Sequence, residues 1–183
     1  MAVVSVTETS IRGLLAVDLV VNRDHRGWFK ESYVSGTLSA HGVADFGVVQ
    51  NNVTYNEHIG VLRGIHAEPW EKYISVAAGR VFAAIVDLRE GDSFGEVQTF
   101  DLTPNQALYV PRGCGNSYQT VERHVVYSYL VNGRWSATTT YTSVDPFDRQ
   151  LAIRWPIARG QAVVSERDAA LPSLAEIVPV GTR

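Results

Sequence analysis

The sequence predicts an all-β protein, an antiparallel sandwich or barrel, on three observations. Short alternating or β-branched runs recur along most of the chain. Clusters of Gly, Pro, Asn and Asp separate them at close intervals. No long apolar pattern of helical period occurs before residue 165.

The elements follow in order. Strands are expected at 14–21 (LLAVDLVV), 46–50 (FGVVQ), 61–66 (VLRGIH) and 72–77 (KYISVA). Others are expected at 80–88 (RVFAAIVDL), 95–101 (GEVQTFD), 106–110 (QALYV) and 124–131 (HVVYSYLV). Turns fall at 77–80 (AAGR), 89–95 (REGDSFG), 103–106 (TPNQ) and 111–116 (PRGCGN). The stretch DHRGWFKES (24–32) reads as a tight turn about Gly27. One short helix is expected at 35–41 (SGTLSAH). Another starts at Ser165, a serine cap followed by acidic residues before Pro172.

Composition narrows the possibilities. The 183 residues suffice for one domain with a sizeable core, and a single domain over 1–183 is expected. Hydrophobic residues make up 45%, which argues against disorder, and no apolar run is long enough to cross a bilayer as a helix. The first residues lack the pattern of a secretion signal, so a cytoplasmic protein without membrane attachment is expected. A lone Cys114 excludes an internal disulfide and a cysteine-based metal site. The five histidines form no H-x-H or H-x3–4-H pair, so no metal is expected. Net charge is −3, which gives no general attraction to nucleic acid.

Some polar residues sit oddly in apolar surroundings. Strand parity in GVLRGIH puts Val61, Arg63 and Ile65 on one face and Leu62, Gly64 and His66 on the other. One of these faces is core, so Arg63 or His66 must be paired or line a wet cavity. His66 is either a satisfied strand-end histidine or a group that moves protons near neutral pH. Arg63 and Lys72 are either salt-bridge partners of Glu68 or Glu71, or a fork and a point charge for phosphate. Tyr129 shares parity with Tyr127 and is either core or a phenol facing a cavity. Asp168, taken alone, is an exposed residue in a first helical turn.

Together, DHRGWFKES, VVQNN, GVLRGIH, KYISVAAGRVFAAIVDLREGDSFGE, YVPRGCGNSY, SYLVN, IRWPI and SERDAALPSL resemble the dTDP-4-dehydrorhamnose 3,5-epimerase family. The resemblance covers most of the chain. It implies a cupin-like antiparallel jelly-roll barrel with a few short peripheral helices, homodimeric, with no metal or cofactor. The implied reaction is epimerisation at C3 and C5 of a dTDP-4-keto-6-deoxyhexose, in L-rhamnose synthesis. Alternatives are a single-carbon epimerase of a specialised deoxysugar pathway, or a non-catalytic sugar-nucleotide-binding module. A separate 4-keto reductase is a possible partner.

The resemblance also implies roles. His66 matches the base that takes the proton next to the ketone, Asp168 its orienting partner, and Tyr129 the acid on the opposite face of the sugar. Arg63 and Lys72 match groups on the diphosphate and the enolate oxygen. Arg26, Glu31, Gln50 and Asn52 match nucleotide and sugar contacts, some lent by a partner subunit. Trp135 stands where an aromatic stacks on the base, and Trp70 is expected to close the pocket. Two departures occur together: a family histidine is Asn116 and a family aspartate is Ala83.

Overall fold

The computed structural model describes residues 3–43 and 45–181. Thirteen strands are described. One sheet has six: β1 (Val3–Glu8), β2 (Leu15–Leu19), β10 (Gln106–Val110), β7 (Lys72–Ala78), β12 (Val125–Val131) and β5 (Gln50–Asn56), in that spatial order. The second has five: β13 (Thr142–Val144), β6 (Leu62–Ala67), β11 (Cys114–Thr120), β8 (Val81–Asp87) and β9 (Val97–Leu102). A small hairpin, β3 (Asn22–Asp24) with β4 (Gly27–Phe29), stands apart. From β5 onward the chain crosses between the two sheets at almost every connection, which is the signature of a jelly roll.

Apolar burial explains the layering. Ile74, Leu108, Val125 and Tyr127 of the first sheet meet Val81, Ala83, Ile85, Leu102 and Tyr118 of the second. The outer faces are covered too. Leu38 and Phe46 pack on Leu15, Val17, Tyr73 and Tyr109 outside the six-stranded sheet. Leu151 and Leu174 pack on Ile65, Val86 and Val144 outside the other. Each such side chain contributes about 1.5–3 kcal/mol by leaving water. Strand β8 therefore lies between two apolar layers, which is why VFAAIVD reads as a continuous run instead of an alternation.

Most expected elements are present, with four differences. The strand expected at 46–50 is Gln50–Asn56, and the segment before it is cover, not sheet. The turn expected through residue 116 ends sooner, and β11 starts at Cys114. The helix expected at 35–41 is a single 3-10 turn, Ser39–His41. Strands β1 and β13 were not expected. The second helix forms as expected, α1 (Glu166–Ala169), with the Ser165 side chain accepting from the Asp168 N–H at 3.1 Å.

Candidate active site

The parity problem of GVLRGIH is solved by a bulge. Across β6 and β11, His66 faces Asn116 and Arg63 faces Tyr118. Two residues, Gly64 and Ile65, therefore stand against one, Ser117. Such a bulge flips parity. Arg63 and His66, expected on opposite faces, both line one cavity with Asn116 and Tyr118. The cavity holds about 330 Å³. Its walls are β6 and β11 of one sheet and β5, β7 and β12 of the other, so His66 and Tyr129 stand on opposing walls.

Asp168 is not an exposed helix residue. It is 7% exposed and reaches back onto β6. Its Oδ1 lies 3.1 Å from His66 Nε2, and its Oδ2 accepts the Gly64 N–H at 2.8 Å. Glycine is needed there, because a Cβ at residue 64 would lie 3.1 Å from the Asp168 carboxyl carbon and 2.9 Å from Leu171. Burial pushes the Asp168 carboxyl up, but the His66 and Gly64 hydrogen bonds outweigh it and hold it below the ordinary 3.8. The carboxylate fixes the imidazole tautomer: the proton sits on Nε2 and the lone pair on Nδ1. That nitrogen lies 2.9 Å from Ser143 Oγ, which donates to it. The Tyr141 ring meets His66 edge-on, with 5.9 Å between centroids.

Lys72 is 3% exposed. Its ammonium donates to the His66 carbonyl at 3.1 Å and to Asn116 Oδ1, and it pairs with Glu68. Burial drives its pKa down, with the Glu68 charge opposing. The salt bridge considered from sequence thus exists, but inside the cavity instead of on the surface. Tyr129 is half-buried; burial raises its pKa, Glu68 adds to the rise, and Arg63 opposes it.

The remaining expected residues divide. Arg63 Nε donates to Asn56 Oδ1 at 3.3 Å, and Tyr118 Oη donates to the same oxygen. Trp135 lines the cavity while 60% exposed, so it stands at the mouth. Gln50 and Asn52 are joined by a 2.6 Å hydrogen bond on β5; Asn52 pairs with Tyr129 and shares its face, but neither residue lines the cavity. Arg26 and Glu31 are also outside it. Arg26 sits in the β3–β4 turn, 79% exposed and paired with Asp24 at 2.6 Å, beside a separate open concavity. Trp70 does not close the pocket: it is buried against Gly133, where a Cβ would meet its ring at 2.7 Å. Sequence reasoning missed Ser143, Tyr141 and the cavity role of Glu68. The signal for Glu68 was available, since it shares strand parity with His66; TTTYTSV (138–144) hid a strand among threonines.

A two-sheet barrel that holds an oriented imidazole on one wall and a phenol on the other belongs with the cupin-like acid–base enzymes. Comparison with known proteins specifies the family. The sequence pattern of dTDP-4-dehydrorhamnose 3,5-epimerase matches residues 8–176. A Streptococcus pyogenes protein named RmlC homolog is 42% identical, aligned over 93% of this chain and 89% of its own. A dTDP-4-dehydro-6-deoxyglucose 3-epimerase from Streptomyces bikiniensis is 31% identical over 94% of this chain and 90% of its own. The structure of RmlC from Streptococcus suis in complex with dTDP-D-xylose superposes with a TM-score of 0.91 at 38% identity, covering 99% of this chain and 96% of that one. The chain belongs to the dTDP-4-dehydrorhamnose 3,5-epimerase family, a family of isomerases.

Proposed function

We propose that the cavity epimerises a dTDP-4-keto-6-deoxyhexose at C3 and C5, producing dTDP-4-dehydrorhamnose for L-rhamnose synthesis. The observation that carries this reading is the His66–Asp168 pair, 3.1 Å apart, on the wall opposite Tyr129. A C–H beside a ketone is weakly acidic. Breaking it needs an aligned base and donors near the oxygen that gains charge. His66 Nδ1 takes the proton, and Asp168 stabilises the imidazolium. Lys72, a buried cation in the cavity wall, offsets the charge of the enolate oxygen. Tyr129 returns a proton from its O–H to the opposite face of the carbon, which inverts it. Both groups then reset by exchange with water.

The nucleotide extends out of the mouth. A volume of about 330 Å³ is at the low end of small-molecule sites, roughly 300–1,000 Å³, and suits the sugar alone. Arg63 and Trp135 stand where a diphosphate and a base would leave the cavity. Arg26 and Glu31 lie away from their own chain's cavity, and we assign them to the site of a second copy in a homodimer working in the cytoplasm. Light scattering reads the dimer; a monomeric mass would remove that assignment. A separate 4-keto reductase would consume the product.

Proton NMR in D₂O with the keto sugar nucleotide is the test. Deuterium is expected at both carbons with the natural protein and at neither with His66→Ala. Undiminished exchange in His66→Ala would end the role given to this residue, and binding without any exchange would leave a sugar-nucleotide-binding module. A single-carbon epimerase is the second reading. Ala83 is fully buried among apolar residues, and Asn116 is committed to Lys72, so no histidine–aspartate pair stands there. Label at one carbon alone would select that reading.

A further inference from the structure

The cavity is lined by a buried phenol whose hydroxyl is left unpartnered. Tyr127 is 1% exposed, and its hydroxyl has no hydrogen-bond partner among the described residues. Burying a hydroxyl unpaired is unfavourable by about 1–3 kcal/mol. Phenylalanine would fill the same space without that loss. The ring is held tightly: it stacks on Tyr118 at 4.0 Å and 22°, and Tyr129 follows on the same face of β12 at 6.3 Å.

The neighbours define what is missing. Lys72 can only donate, so Asn116 must turn Oδ1 toward it. The Asn116 Nδ2 group then faces away from Lys72 and makes no hydrogen bond among the described residues. It lies beside the Tyr127 hydroxyl with no hydrogen bond formed between them, and the Tyr127 O–H has no acceptor. Ammonium, amide and phenol stand side by side, and the phenol hydrogen has nowhere to go. An acceptor with no proton of its own completes this chain. A ketone oxygen that becomes an enolate oxygen is such an acceptor; a sugar hydroxyl is a poorer match because it brings a donor too.

We propose that the Tyr127 hydroxyl donates a hydrogen bond to the 4-keto oxygen of the substrate, and that it does so most strongly as that oxygen gains charge. The inference rests on the epimerase reading above. Burial, with Tyr118 and Tyr129 adding, keeps Tyr127 protonated far above neutral pH, so it serves as a donor and never as a base. Lys72 has its three hydrogens engaged by His66, Asn116 and Glu68. The free Tyr127 hydrogen is therefore the donor that is available without displacing a partner. Because the interaction strengthens in the transition state, its loss falls on kcat more than on KM.

The test is Tyr127→Phe, which removes one oxygen atom. Three quantities are measured: Tm of the free protein, KM, and kcat with the rate of solvent-deuterium exchange into the keto sugar nucleotide. Tm should stay the same or rise, since an unpaired buried oxygen is lost. KM should change less than about threefold, while kcat and exchange fall on the order of 10²-fold, the effect of removing one oxyanion donor. Unchanged kcat in Tyr127→Phe would overturn the proposal, and so would a fall in kcat that came with a fall in Tm. If the natural protein itself exchanged no deuterium, the epimerase reading would fail and this proposal with it; exchange by the natural protein and equal exchange by the variant would remove the proposal alone.

Discussion

Two buried carboxylates in this molecule are held alike and differ in what faces them. Asp87, at the end of β8, is fully buried and accepts from Arg89 Nε at 2.8 Å, from the Arg89 N–H at 3.0 Å and from Ser93 Oγ at 2.9 Å. Asp168 accepts from His66 and from the Gly64 N–H. In both, burial pushes the carboxyl up, hydrogen bonds more than offset it, and the net shift is downward. The difference lies in the cation. Arg89 is charged at every accessible pH, so the Asp87 cluster is electrically closed. His66 is charged only with protons on both ring nitrogens, so one proton decides whether Asp168 faces a counter-charge. A cluster whose charge is fixed suits a stabilising role. One whose net charge changes from −1 to 0 when a proton arrives suits the proton transfer proposed above.

The comparison is broken most sharply by removing each carboxylate's charge. Asp168→Asn is expected to fold and to lose about 10³–10⁴-fold in deuterium exchange, because the amide no longer enforces the Nε2–H tautomer and cannot stabilise an imidazolium. Asp87→Asn is expected to do the reverse. It leaves Arg89, 13% exposed in its side chain, without its counter-charge, and stability should drop by roughly 3–5 kcal/mol in urea denaturation while the folded fraction keeps its exchange rate. The reverse pattern, with Asp168→Asn unstable and Asp87→Asn inactive, would mean that the two clusters have been assigned the wrong way round.

Acid sharpens the stability half of that prediction. A carboxyl whose native pKa lies below its unfolded value stabilises the fold fully above the unfolded value and loses that contribution as pH falls through the native one. With both carboxyls held below 3.8, the loss begins near that pH and completes beneath it. Asp87→Asn should therefore flatten the acid side of the stability curve. An acid limb unchanged in that variant would show that Asp87 titrates alike in the folded and unfolded chain.

The same contrast separates what the sequence made legible from what it hid. Strands such as 72–77 and 106–110 were legible because one face is apolar core and the other apolar cover. Strand β5, QNNVTYN, was not, because Thr54 and Asn56 point polar groups inward, toward Tyr118 and Arg63, while Val53 and Tyr55 face out. Strand β11 was hidden by its glycines and small residues, packed against Ile65 and Leu88. Functional lining inverts the usual inside-out pattern, so period-based reading fails where the site is. His66, Asp168, Tyr129, Arg63, Lys72, Asn116 and Trp135 were found from their place in family-like motifs and do line one cavity. The bulge that puts Arg63 and His66 on one face is a matter of register between strands, which no local pattern records.

Ser143 provides the smallest and most delicate test of the comparison. Every acceptor position around Asp87 is filled by a group that stays, whereas the lone pair of His66 Nδ1 is met by a neutral hydroxyl at 2.9 Å. In the reaction proposed above, a C–H bond beside the ketone must reach that nitrogen, so the Ser143 hydrogen bond has to break before the proton moves. Such a bond contributes about 0.5–1.5 kcal/mol net. Ring orientation survives without it, since Asp168 fixes one nitrogen and Tyr141 packs against the ring edge. Ser143→Ala is therefore expected to raise kcat/KM by about two- to fivefold, the equivalent of roughly 0.5–1 kcal/mol less stabilisation of the free enzyme. A fall of tenfold or more would place the serine in the transition state, holding the imidazole while it works, and the His66 cluster would then be as closed as that of Asp87.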